Sequence, residues 1–251
     1  MSSTSTFSVI HGETNCPFVF SCEHASATLP TKPSLADQSF LHTHWGVDIG
    51  AKGVVEELCS ITHSAGILSV FSRLWVDLNR PVQATDLIRQ EVEQQSISFN
   101  RGLTSQQIDE RIAEYYTPYH NAFGDLVAER ARSSVPFLLV SVHSFTPIWS
   151  GSLRTMDVGV LFNHHEELAE RLQYFLQQEE LFTALNQPYS GKNASGTVGL
   201  IHSVEQQGLH HRIPYLELEI NQALISTPER EKHIAHKIAR ALQQLHSTLY
   251  C

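Results

Sequence analysis

Cysteine is scarce. Cys16, Cys22, Cys59 and Cys251 are the four in 251 residues, too scattered for a CxxC zinc knuckle or redox pair, so free thiols are expected. Basic charge is short as well: 17 Lys and Arg stand against 26 Asp and Glu, a formal net charge of -9. That balance argues against nucleic acid or an anionic membrane, whose partners carry a basic face. Long apolar runs are missing, since nothing approaches the ~20 residues of a membrane helix. The polar start MSSTSTFSVIHGETN has neither the charged nor the apolar region of a signal peptide. The sequence therefore reads as cytoplasmic, with a small molecule as its partner. No repeat, low-complexity tract or Pro/Gly/Ser linker divides it, so 1–251 is expected to form a single domain.

What is present alternates. Four apolar runs read as buried strands: Pro17 to Cys22, Ile67 to Phe71 with a continuation through Leu74 to Leu78, Phe137 to Val142, and Tyr215 to Ile220. Helical spacing fills the gaps at Val47 to Ile61, Ser105 to Arg132 behind a Thr104/Ser105 cap, and Glu166 to Gln178. Thr227 to Leu249, opening on Thr-Pro-Glu, reads as the last helix. Strands alternating with helices predict a three-layer α/β fold, its sheet mostly parallel or mixed and covered on both faces. The polar, glycine-rich segment Asn186 to Gly199 reads as a loop near a site.

In open parallel sheets ligands gather beyond the carboxyl ends of the strands. Here those ends read Glu23-His24, Asp77-Leu-Asn79-Arg80, His143-Ser-Phe, and Glu217 and Glu219 before Asn221. A hydrolytic zinc takes three His or carboxylate ligands and keeps one position for water. His24, Asp48 and His143 are the preferred set, with a glutamate outside it as general base. His44 lies four residues before Asp48, which on a helix would give the two a shared face, so His44 is the alternative third ligand. Either histidine taken alone reads as a structural strand-end residue; two at separate strand ends favour a site. Glu217 and Glu219, two apart, face the same way, either as a buried pair raising each other's pKa or as the wet face of an edge strand. Arg73, Asn79, Arg80 and Arg154 would suit an anionic substrate, the alternative for each arginine being an ordinary salt bridge. Ser190-Gly191-Lys192 lacks the Walker spacing. His202, His210 and His211 read as surface or substrate-contacting residues.

The sequence resembles the N-formylglutamate amidohydrolases. The likeness rests on Glu23-His24-Ala-Ser with Pro30, His44-Trp-Gly-Val-Asp48-Ile-Gly-Ala, Ser72-Arg73-Leu-Trp-Val-Asp77-Leu-Asn79-Arg80, Ser141-Val-His143-Ser-Phe-Thr-Pro147, and Leu218-Glu219-Ile-Asn221. The segments around His143 and Glu219 also look like strands of the zinc carboxypeptidases. The resemblance implies a phosphorylase/hydrolase-like fold, Zn2+ on His24 and His143, Asp48 where related zinc amidases use a helix-borne carboxylate, and Glu219 as base. Ala27 stands where a carboxypeptidase His-x-x-Glu pair would place glutamate, so the third ligand comes from elsewhere. The implied activity is cleavage of a small anionic N-acyl amino acid such as N-formylglutamate. A carboxypeptidase-like peptidase, a cell-wall amidase and a metal-free binding protein for small acids are the alternatives.

Overall fold

The structure, a computed structural model, describes residues 5–192 and 200–249. Its central sheet has strands β1 (Phe7–Ile10), β2 (Phe18–Cys22), β3 (Ala65–Ser69), β4 (Leu138–Phe145), β5 (Val158–Leu161), β6 (Thr183–Leu185) and β7 (Tyr215–Asn221), in the spatial order β1-β3-β2-β4-β7-β5-β6. The middle four, β3, β2, β4 and β7, run parallel. β1 is antiparallel at one edge, and β5 with β6 runs opposite at the other, so the sheet is mixed.

Alternation along the strands sets the layers. Phe18 and Phe20 of β2, Val140 and Val142 of β4, and Leu216 and Leu218 of β7 enter one core. After the short α1 (Leu35–Leu41), helices α2 (Ala51–Thr62), α5 (Glu166–Gln178) and α7 (Pro228–Leu249) close over it. Val19, Leu139 and Tyr215 enter the second core, beneath α4 (Thr117–Ala131) and α6 (His202–His211). On this second face the strands change character towards their carboxyl ends: Ser21 and Glu23, Ser141 and His143, Glu217 and Glu219 replace the apolar residues. The three-layer α/β architecture expected from the sequence is the one observed.

Several elements differ from the sequence reading. Leu74 to Leu78 does not continue the strand; the chain turns, with the Trp75 and Arg80 amides donating to Ser72 O at 2.9 Å and Asp77 O at 3.3 Å. Its apolar residues are buried by packing alone, Leu74 against Phe40 and Ile97, and Val76 with Leu78 in the second core. The helix expected from Val47 starts at Ala51, because the Asp48 amide is tied to His24 O at 3.0 Å and Gly50 is left-handed at φ 80°. His44 and Asp48 therefore share no helical face. The long pattern from Ser105 is α3 (Ser105–Arg111), a π turn (Ile112–Tyr116) and α4, opened by a Thr104–Gln107 capping box. The wet-edge reading of Glu217 and Glu219 fails, since β7 lies inside the sheet and buries both. The strands β1, β5 and β6 and the helix α6, which holds His202, His210 and His211, were not anticipated. Of the expected loop Asn186 to Gly199, residues 186–192 contain no helix or strand and 193–199 lie outside the described residues.

Gly50 packs the loop that carries Asp48 directly against Ile225. A Cβ there would lie 2.2 Å from the Ile225 carbonyl oxygen, in a backbone conformation that side chains disfavour. Gly50→Ala is expected to cost about 2–4 kcal/mol from left-handed strain plus overpacking. Urea unfolding of the metal-free protein measures it, and a loss under ~0.5 kcal/mol, the scale of an ordinary surface change, would contradict the close approach.

Candidate active site and metal centre

Three strand ends and one loop converge. β2 delivers Glu23 and His24, β4 delivers His143, and β7 delivers Glu217 and Glu219. The parallel register sets Ser141 beside Glu217 and His143 beside Glu219. The loop before α2 brings Asp48, fixed at both ends of its backing: its amide donates to His24 O, and the Ser144 amide and hydroxyl donate to Asp48 Oδ2 at 3.3 Å and Ile49 O at 2.9 Å.

The carboxylate Asp48 Oδ2 lies 2.7 Å from His143 Nδ1 and 3.3 Å from His24 Nδ1, and the two ring nitrogens are 3.0 Å apart. The far nitrogens meet carboxylates: His24 Nε2 lies 2.7 Å from Asp77 Oδ1 and His143 Nε2 lies 3.0 Å from Glu23 Oε2. Those partners assign a proton to each Nε2, because a carboxylate can only accept. Asn79 does not compete for that position, as its two amide hydrogens go to Leu200 O at 2.6 Å and Glu217 Oε2 at 3.0 Å. Without a metal, Asp48 Oδ2 accepts a proton held on His143 Nδ1, and although burial opposes it, the carboxylates around His143 raise its pKa well above the ordinary value; with a metal, the Nδ1 atoms would be the nitrogens left to bind it. Three buried donor atoms meeting at one point need a positive charge among them, a proton or a metal ion. Ligand atoms of a four-coordinate zinc, with bonds of about 2.0–2.2 Å, stand roughly 3.2–3.6 Å apart, somewhat wider than this triangle with its sides of 2.7, 3.0 and 3.3 Å. The residues fit a metal ion, and among the described residues His24, Asp48 and His143 are the group of His, Cys, Asp and Glu that could hold one.

Sequence reasoning gave no role to Asp77 or Glu23. Asp77 takes two bonds from Arg73, from Nε at 3.1 Å and Nη2 at 2.7 Å, while its Oδ1 holds His24. Burial opposes its charge, but Arg73 and His24 draw the Asp77 carboxyl well below the usual range. Glu23 is held by Ser141 Oγ at 2.8 Å and Tyr119 OH at 3.1 Å and, although burial raises it, His143 and Ser141 bring its pKa down to about 2. Both therefore stay ionised and orient the imidazoles. The available signal was adjacency, since Glu23 precedes His24 and Asp77 lies two before Asn79.

The second pair of carboxylates is shifted the other way. Burial, with Glu23 and Asp48 nearby, pushes Glu217 up to about 7 against the pull of His143 and Asn79. Glu219 is raised well above its ordinary value by burial first, then by Asp48 and Glu217. Its Oε2 is buried and bonded to none of the described residues.

A small cavity of about 170 Å³ opens over the donors, bordered by His24, Asp48, His143, Asn79 and Glu219 among others. Glu217 lies behind this lining. Arg73 and Arg80 border the cavity, and Arg73 Nη1 also faces Asp48 Oδ1 at 3.6 Å. Arg154 stands just outside, its guanidinium against the Phe145, Trp149 and Tyr189 rings that do border it. His44 borders the cavity too but stacks on Trp45 at 4.8 Å, apart from the three donors. Trp149 and Arg89 are further lining residues that sequence reasoning missed, as nothing in their local pattern marks them, whereas Tyr189 belongs to the segment Asn186 to Gly199 expected to lie near a site.

Because Glu23 holds the ring of His143, Glu23→Gln is expected to weaken zinc binding about 10–100-fold with the fold intact. Competition with a chelator of known affinity reads this directly; unchanged affinity would remove Glu23 from the support of the site.

Residues 16–226 match the family described as N-formylglutamate amidohydrolase. No curated protein matches the chain with significance. Among solved structures, the chain resembles gene product Atu2144 of Agrobacterium tumefaciens with 25% identity and a TM-score of 0.89, over 99% of this chain and 97% of that one. It also resembles the N-formylglutamate amidohydrolase of Ralstonia eutropha JMP134, with 16% identity and a TM-score of 0.74 over 98% of each chain, a likeness of fold. The same holds for the tripeptide-bound cell shape determinant Csd4 of Helicobacter pylori, at 9% identity and a TM-score of 0.52 over 95% of this chain and 55% of that one. With a match over most of its length, the chain belongs to the N-formylglutamate amidohydrolase family.

Proposed function

We propose that the protein is a zinc-dependent amidohydrolase that cleaves small N-acyl amino acids, N-formyl compounds foremost, with His24, Asp48 and His143 holding the ion and Glu219 as general base. The observation that carries this reading is the meeting of three convergent metal donors with Glu219, whose Oε2 has no hydrogen-bond partner among the described residues, around one small cavity. Bound there, zinc would lower the pKa of a water towards ~7 and polarise the scissile carbonyl.

The chain's own groups divide the remaining work. Glu219 borders the cavity, its Oε2 is bonded to none of the described residues, and its raised pKa makes it a stronger base than an exposed glutamate. It takes the proton of the attacking water and returns one to the leaving amine. Glu217, bonded to Asn79 and 3.5 Å from His143 Nε2, holds the inner side of the site and does not reach the substrate. Asn79 ties Glu217 to the start of α6, since its Oδ1 accepts from the Ser203 amide at 2.9 Å. Arg80 presents its guanidinium to the substrate carboxylate. Arg73 is committed to Asp77 and serves mainly to keep that carboxylate charged. The cavity's small volume favours a free amino-acid derivative over the peptides of a carboxypeptidase or cell-wall amidase.

Glu219→Gln is expected to retain stoichiometric zinc and lose about 10²–10⁴-fold in kcat on the best N-formyl amino acid, the usual worth of a general base. Glu217→Gln should lose far less. Activity kept by the first and lost by the second would move the base to Glu217. Protein that binds no stoichiometric zinc and gains no hydrolysis on its addition would overturn the whole reading.

A further inference from the structure

Outside the cavity, a cluster of rings grips the loop that carries Arg80. The Arg80 side chain folds back on that loop, Nε donating to Asp86 Oδ2 at 3.2 Å and Nη1 to Asn79 O at 3.1 Å, while Nη2 is bonded to none of the described residues. Where the guanidinium points is therefore set by the backbone of residues 78–80.

Each residue of that loop is held from another element. His120 Nε2 lies 3.1 Å from Leu78 O and, since a carbonyl only accepts, carries the hydrogen. Asn79 is bonded to Leu200 O, to Glu217 and to the Ser203 amide. Tyr116 OH donates to Arg80 O at 2.9 Å. That hydroxyl has one hydrogen to give, so in its 3.0 Å contact with His202 Nε2 the imidazole is the donor. Tyr116 closes the π turn that leads into α4, and its ring lies 4.2 Å from that of His120 on the same helical face. Turns of this kind recur at functional sites. Burial, with His202 nearby, brings His120 down to about 4, so its ring adds no positive charge behind Arg80 at neutral pH. Tyr116 is buried, and neither it nor His120 nor His202 borders the cavity. The hydroxyl can reach the chemistry through Arg80 without touching a substrate.

Resting on the amidohydrolase reading above, in which Arg80 receives the substrate carboxylate, we propose that Tyr116 is a positioning residue for that arginine. Its hydroxyl, oriented by His202, fixes the Arg80 carbonyl and with it the direction from which the guanidinium meets the substrate. Phenylalanine at this position keeps the buried ring and removes the one bond. A bond that merely tied helix to loop would cost stability when lost, with no selective effect on substrate binding.

The test measures kcat and KM for N-formyl-L-glutamate in the zinc-loaded parent chain, Tyr116→Phe, Arg80→Ala and the double variant. Tyr116→Phe is expected to raise KM about 3–10-fold, the worth of one hydrogen bond, with kcat within about twofold of the parent. Because the hydroxyl acts through Arg80, its effect on kcat/KM should vanish in the Arg80→Ala background. An unchanged KM, a fall in kcat as large as the rise in KM, or a penalty undiminished without the Arg80 side chain overturns the proposal. So does an Arg80→Ala protein with the parent's KM, a result that would leave the amidohydrolase reading standing. Should the parent hydrolyse nothing, that reading fails, and calorimetric titration of the same proteins with N-formyl-L-glutamate decides, as it does if only the Arg80→Ala pair is inactive. Binding weakened by Tyr116→Phe only where Arg80 is present supports positioning, while equal binding by parent and Tyr116→Phe, or none by either, overturns it.

Discussion

Asp48 Oδ2 is shared by two imidazoles, and the arrangement of the whole rim follows from holding it there. The oxygen faces Nδ1 of both His24 and His143, so each ring must turn its Nε2 outward, away from the shared point. Outward is inward to the protein, where a bare N–H would be costly to bury. Asp77 and Glu23 meet that need, and each in turn requires its own support: Arg73 for Asp77, Ser141 and Tyr119 for Glu23. The turn at Leu74 to Leu78 makes sense in these terms. An extended strand there would carry Asp77 away from His24, whereas the turn brings both its carboxylate oxygens into use.

Charge explains why so polar a cluster can lie under helices. Glu23, Asp48, Asp77, Glu217 and Glu219 are all buried on one face of the sheet. Five buried carboxylates cannot all stay ionised against one arginine and two histidines. The structure answers by splitting them. Those with close cationic or hydrogen-bonding partners are drawn down in pKa, while Glu217 and Glu219 are pushed up by burial and by the others. A divalent cation between His24, Asp48 and His143 would relieve the same excess, so the electrostatics of the site and its donor geometry ask for the same ion.

Much of this was legible in the sequence, and the reasons for the exceptions are physical. The strands carrying His24, His143 and Glu219 announced themselves because central parallel strands are apolar on both faces and end where polarity begins. Asp48 was found through its neighbours in sequence, but its placement on a helix was wrong. Gly50 and the bond from the Asp48 amide to His24 delay the helix, and neither has a periodic signature. The short β1, β5 and β6 offer three or four residues each, too few for alternation to show. The helix α6 was hidden by Gly208 and its histidines. That glycine is explained by packing alone, as a Cβ would lie 2.2 Å from Cδ1 of Tyr215. Trp149, in a two-residue hairpin strand, and Arg89, in a loop, reach the cavity from outside the central sheet, where contact depends on tertiary folding and leaves no local pattern.

The two glutamates of β7 show how a strand assigns different tasks to residues that its alternation treats as equivalent. Glu217 and Glu219 point to the same face, yet two residues along a strand is a displacement of about 6.6–6.8 Å. Glu217 is paired in register with Ser141, at the depth where the sheet is still covered by α4 and α6, and it finds Asn79 and the inner side of His143. Glu219 is paired with His143 itself, at the depth where the cavity opens, and its other neighbour across the sheet is Gly159, which has no side chain to meet it. One carboxylate thus ends inside a hydrogen-bonded network and the other beside the cavity, with an oxygen that meets no partner among the described residues. The difference in role between them is a difference in depth along a single strand, set by the parallel pairing of β7 with β4.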